Sequence, residues 1–297
     1  MDNDTGDTRA HPTPTAEPDV AVAGGVAGVT ARQLDDDDEP RARGHRPRRP
    51  REWRTGGTSV QHWNWLLVGW AVVALGAAVL IATASTEFIG GVAGGWIGTV
   101  AVWVALVIPV IFAYRGSIPR GLLRFRPVDV LFGLVIGVAL RFVAGALQAA
   151  ATGSTVWPTY MTANGALPGD WWFGELIVPV VIGPLLEEFF FHGFLLVLLY
   201  TVFRRLTDVR WVAGLGSLLI TTGLFLLLHQ LAGSLVATWD GAASVGLVGL
   251  LGGLLVLLTG RIWGAVLLHV AFNGTYVLLA VVGTLVGVGG AGTVGLS

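Results

Sequence analysis

The chain has no cysteine and no lysine among its 297 residues. Without cysteine there is no thiolate nucleophile, no disulfide and no thiolate metal site. Without lysine there is neither a Schiff base nor a lysine general base. Charge is scarce too, at 12% of residues, about half of what a soluble domain of this length carries. What charge exists is unevenly placed: half of the arginines and more than half of the acids fall within the first 60 positions. The remainder is an apolar, glycine-rich body, and the mean hydropathy of the whole chain is +0.71. That combination reads as an all-α, polytopic transmembrane helix bundle. The net charge of −1 averages two unlike regions and therefore says nothing about partners. The weight of Ala, Gly, Val and Arg suggests a GC-rich bacterial genome and, with it, a plasma-membrane location.

Residues 1–60 hold Pro, Thr, Asp, Gly and Arg with almost no large apolar side chain, too little burial to offset ordering, so a disordered charged tail is expected. Its first 20 residues lack an apolar stretch of the kind a cleaved signal peptide has. Seven runs are long enough to span a bilayer: about 63–84, 92–114, 128–151, 172–203, 211–231, 243–260 and 262–286. Residues 61–160 thus form the first helices and residues 161–297 the remainder. Tryptophans 63, 65, 96, 171, 172, 211 and 263 cluster at the ends of the runs, as an interfacial belt would. Arginines alternate from loop to loop. They occur at Arg41–Arg54, at Arg115, Arg120, Arg124 and Arg126, at Arg204, Arg205 and Arg210, and at Arg261; the loops near 85–91, 152–171 and 232–242 have none. The alternation predicts a cytoplasmic N-terminus and an extracytoplasmic C-terminus. Glycine pairs in "GGVAGG" and "GLVGLLGG" predict close helix packing with no chemistry of their own. Pro179 and Pro184 interrupt the long fourth run and predict a kink or short re-entrant piece ahead of Glu187.

Inside the spans few ionisable side chains remain, among them Arg141, Glu187, Glu188, His192, His229 and His269, joined by the strong polar group Asn273. One such charge costs about 2.5–3.5 kcal/mol at a helix centre, so the set calls for a function. Glu188 and His192 stand four apart and share a helical face, as do Phe225 and His229, and His269 and Asn273. Glu187 is turned about 100° from Glu188. Two carboxylates, two or three imidazoles and an amide suit peptide hydrolysis by activated water, with a glutamate as base and His and Asn donors for the oxyanion. The same groups are ordinary zinc ligands, although no HExxH spacing occurs and zinc is not favoured.

Three stretches in order, "EEFFFHG" (187–193), "FLLLH" (225–229) and "HVAFN" (269–273), resemble the signature motifs EExxxR, FxxxH and HxxxN of the CPBP family of intramembrane proteases, which includes CAAX endopeptidases, bacteriocin-processing and Abi proteins. The resemblance covers about residues 170–280. It implies a metal-free, glutamate-dependent endopeptidase with Glu187 as general base and His229 beside it on the catalytic water. His269 and Asn273 would stabilise the oxyanion, with Glu188 in the supporting network. The expected partners are a membrane-associated protein or peptide and the bilayer, with no nucleic acid. Alternatives are a catalytically weak partner-binding or self-immunity protein and, from another class, a proton-coupled transporter.

His192 occupies the motif's arginine position. Arginine is always charged and offers a fork of donors; histidine is a weaker partner. The expectation is that Arg141, the deep arginine of the third span, supplies a guanidinium to Glu188. Straight spans at about 1.5 Å per residue also predict His229 and His269 well over 10 Å apart in depth.

Overall fold

The computed structural model describes residues 52–55, 60–155, 157–160, 162, 166–167, 169–232 and 238–287. Among them all regular structure is helical, and seven helices are long and apolar enough to cross a membrane. They are α1 (Trp65–Phe88), α2 (Gly91–Gly116), α3 (Pro127–Thr152), α4 (Trp172–Leu206), α5 (Arg210–Ala232), α6 (Trp239–Thr259) and α7 (Trp263–Val286). Each expected run is therefore a helix, and the chain is a multi-pass membrane protein.

Short connections tie the arginine-bearing ends together. The expected tail lies mostly outside the described residues, but its last part is corrected by what is described. Trp53 is buried and its indole donates to the Gly260 carbonyl at 3.1 Å. Arg54 caps α6 by donating to the carbonyls of Leu257 (3.1 Å) and Leu258 (2.6 Å), as a basic side chain does at a helix C-terminus. Trp63 is corrected as well: it is no interfacial anchor but a core residue, 1% exposed, packed on Tyr114 and Phe194. Trp65, Trp172 and Trp211 do stand exposed at span ends. Arg261 makes a two-pronged bond to Asp129, with Nη2 2.6 Å from Oδ1 and Nε 2.9 Å from Oδ2. The Asp129 carboxylate holds the Arg261 guanidinium above its ordinary pKa, through hydrogen bonding first and charge second.

The fourth span is irregular, as its prolines suggest, but has no re-entrant piece. It neither breaks nor re-enters but runs continuously for 35 residues, with π-helical segments at Trp172–Ile182 and Phe189–Leu195. A π turn accommodates an extra residue within the helix, so the prolines are absorbed without a break. Pro184 falls where the first π-helical segment passes into the α-helical piece Gly183–Glu188.

Glycines let α3 approach α7 closely. A Cβ on Gly133 would stand 2.5 Å from the Leu267 Cβ, and one on Gly137 would stand 2.3 Å from the Leu268 carbonyl oxygen. Leu268 precedes His269, so this packing holds a candidate site residue in place. Gly137→Ala is expected to force α3 and α7 apart and cost about 1–3 kcal/mol, measured by unfolding in detergent. An unchanged midpoint would show that the helices do not need this approach.

Candidate functional site

The site is assembled from four spans. From α4 come Glu187, Glu188 and His192, and from α5 Phe225 and His229. From α6 come Gly252 and Gly253, and from α7 His269 and Asn273.

Glu188 and His192, one turn apart, pair as the spacing requires: His192 Nδ1 donates to Glu188 Oε2 at 2.5 Å, with both side chains fully buried. His269 Nδ1 reaches the other oxygen, Oε1, at 3.0 Å. A carboxylate only accepts hydrogen bonds, so both imidazoles carry their proton on Nδ1 toward Glu188. Glu188 is thus a clamp between α4 and α7, with both oxygens occupied. The glycines on α6 make room for it. A Cβ on Gly252 would lie 3.3 Å from His192 Cε1 and 3.4 Å from Glu188 Oε2, and one on Gly253 would lie 3.1 Å from His192 Cδ2. The "LLGG" glycines therefore do more than pack helices; they accept the flat imidazole ring.

Glu187, on the next face of the same turn, meets His229. The His229 Nε2 to Glu187 Oε2 distance is 3.5 Å, and both side chains are about one-fifth exposed. His229 Nδ1 donates to the Phe225 carbonyl at 2.9 Å. That bond fixes the tautomer, so the Nε2 of a neutral His229 is a lone-pair acceptor facing another acceptor. Glu187 Oε2 is buried and has no hydrogen-bond partner among the described residues. Two acceptors at this separation attract each other only through a proton or a water between them.

Phe225 joins the two halves. Its ring lies 4.4 Å from the His229 ring and 6.0 Å from the His269 ring, so the histidines are no farther apart than those two steps combined. The expected large mismatch in depth is corrected. The helix carrying His269 does not start at the surface: Ile262 is fully buried and its N–H donates to the Leu122 carbonyl at 3.0 Å. Loop and tail residues pack over that end of the helix, with the Trp53 indole bonded to the neighbouring Gly260 carbonyl.

Asn273 has a specific local role. Gly183 N–H donates five residues back to Val178. In that register the Pro179 carbonyl would take its bond from residue 184, a proline without an N–H. Asn273 Nδ2 supplies the missing donor at 2.7 Å, leaving its second N–H and its oxygen for other use.

Arg141 does not reach Glu188, whose oxygens are taken by His192 and His269. Instead Arg141 Nε donates to the Phe272 carbonyl at 3.3 Å, and the guanidinium lies over the Phe272 ring at 3.8 Å. The expected Arg141–Glu188 pair is corrected: the neighbouring helix α7 offers an aromatic face and a carbonyl before any carboxylate. Sequence reasoning also missed the hub role of Phe225, the glycine seat of His192 and the carbonyl of Pro179. The proline pair five apart was the one available signal for the last of these. No group of three His, Asp or Glu side chains among the described residues is placed to share one metal ion.

A multi-pass helical membrane protein with a carboxylate–imidazole site in its interior is the class that this fold defines. Residues 169–275 match the family model described as type II CAAX prenyl endopeptidase Rce1-like, and over that segment the chain is similar to this CAAX protease family. The match takes in α4 to α6 and α7 through Asn273, and leaves α1–α3 outside. No curated protein and no solved structure matches the chain.

Proposed function

We propose that the chain is an intramembrane endopeptidase that hydrolyses a peptide bond of a membrane-associated protein or peptide with water activated by Glu187. The observation that carries this reading is the facing pair Glu187 Oε2 and His229 Nε2, 3.5 Å apart, the carboxylate oxygen otherwise unpartnered among the described residues. A water held between them donates one proton toward each acceptor. Glu187 removes a proton as the water oxygen attacks the scissile carbonyl carbon. The same proton then passes to the departing amine as the C–N bond breaks.

The oxyanion meets the second N–H of Asn273 and Nε2 of His269. His269 donates there only when both its nitrogens carry protons, and the adjoining Glu188 carboxylate is the counter-ion for that state. Glu188 itself is a positioning residue in this scheme, and His192 Nδ1 fills one of its oxygens where the motif has arginine. The family description names a prenylated CAAX substrate; for this chain the proposal extends to a membrane-tethered peptide, in a bacterial plasma membrane with a cytoplasmic N-terminus.

The test compares purified wild type with His229→Ala on a panel of membrane-tethered peptides. Loss of the imidazole that holds the water is expected to lower kcat/KM by about 100-fold or more. Cleavage at the wild-type rate by the folded variant would sink the water-holding role. A wild type that cleaves nothing favours a partner-binding protein instead.

A further inference from the structure

Among the described residues no carboxylate pairs with Arg141, which packs against α7. Gly133, Gly137 and Arg141 follow one another at four-residue spacing, so they lie in one row on α3. The first two are pressed against α7 at Leu267 and Leu268. The third member of the row therefore meets α7 one turn further on, at Phe272 and Tyr276. There the Arg141 guanidinium carbon lies 3.8 Å above the Phe272 ring and 5.0 Å from that of Tyr276. Its Nε is bound to the Phe272 carbonyl. The nearer end of α3 is roughly 16 Å away along the axis at 1.5 Å per residue, so the group is held at depth.

Neither terminal nitrogen of Arg141 bonds to a described residue, and neither is among the buried unpaired atoms. Four N–H donors thus point into accessible space. The carbonyl that anchors the guanidinium belongs to the residue before Asn273, and on α7 the Phe272–Tyr276 row borders the His269–Asn273 row. A cation with a planar fork, braced by two rings, suits a carboxylate bound by two parallel hydrogen bonds.

We propose that Arg141, braced by Phe272 and Tyr276, forms a subsite for a carboxylate of the peptide substrate, either its terminal carboxylate or an acidic side chain near the scissile bond. This rests on the reading of the chain as a peptidase. The subsite binds and orients the peptide and takes no part in the bond-breaking step. It also gives the deep arginine of α3 a counter-ion only when substrate is present.

The experiment uses the full chain in phosphate-free maltoside micelles and four acyl-anchored fluorescent peptides. Two differ only in a terminal acid or amide, and two only in an internal glutamate or glutamine. Binding is measured on Glu187→Gln protein and cleavage on wild type. At least one acid form is expected to bind about tenfold or more tightly than its neutral counterpart, a difference fitting a charge-assisted fork. The pair that differs identifies the carboxylate. Arg141→Gln is expected to bring that ratio to about one, and Arg141→Lys to leave an intermediate value. If Arg141→Gln does not fold, the fall in the acid-to-neutral binding ratio from the Glu187→Gln protein to the same protein carrying Arg141→Lys still decides. Equal binding of all four peptides, or a preference that survives Arg141→Gln, overturns the subsite. Selective binding without any cleavage keeps the subsite and removes the peptidase reading; cleavage without selectivity does the reverse.

Discussion

Glu187→Gln is expected to lower kcat/KM for a membrane-tethered peptide between about 100-fold and 10,000-fold, the range for removal of a general base, with little change in stability. The substitution keeps the shape of the side chain and removes the charge. Among the described residues Glu187 Oε2 has no hydrogen-bond partner and stands 3.5 Å from His229 Nε2, so the fold loses no bond there with it. A glutamine oxygen still accepts from a water but cannot take its proton. The loss should therefore fall on kcat, with KM nearly constant, since an interaction made only in the transition state is being removed. Activity within threefold of wild type, in protein with an unchanged unfolding midpoint, would falsify the assignment of Glu187 as base.

For Glu188→Ala the expectation reverses: the dominant loss is in stability. Both Glu188 oxygens accept from buried imidazoles, at 2.5 Å from His192 and 3.0 Å from His269. Truncation leaves two buried N–H donors facing a void. Removing one partner of a buried charged pair costs about 3–5 kcal/mol. Neutral hydrogen bonds between membrane helices average only about 0.6 kcal/mol, because the separated helices find other partners. The two scales decide the nature of the clamp. A loss near the upper figure identifies a charge-bearing clamp, and one near the lower figure identifies an ordinary neutral bond. Activity should fall in parallel, because His269 loses the carboxylate that orients it. Reversible unfolding of the purified variant in mixed micelles gives the stability, and peptide cleavage the activity. A fully stable but inactive Glu188→Ala would overturn the clamp and make Glu188 a direct participant.

These opposite expectations for adjacent glutamates come from their surroundings, not from their chemistry. Glu188 is sealed beneath His192 and the Gly252–Gly253 surface, whereas Glu187 keeps partial access and a partner too distant for a direct bond. Sealing satisfies a carboxylate and removes it from reach of substrate. Partial access leaves it unsatisfied and able to hold a water.

Much was legible in the sequence because the physics involved is local. Apolar length decides which segments cross a bilayer, and all seven spans follow from it. Helical period places Glu188 over His192, Phe225 over His229 and His269 beside Asn273, and it turns Glu187 to a different face. The resemblance to the protease motifs rests on those same local spacings. Relations between spans are not local, and these only the tertiary structure decided. Trp53 and Leu122 bond to the α6–α7 turn at Gly260 and Ile262, and the packing of α7 places His269 with its ring 6.0 Å from that of Phe225. In the π-helical register at Pro179, Pro184 has no N–H to give, and this frees the carbonyl that Asn273 answers. The glycine row of α3 delivers Arg141 to Phe272 and away from Glu188. In each case a side chain's partner depends on how far one helix has slid and turned against another. That relation is set by packing among residues distant in the chain, and the spacing within any one span carries no record of it.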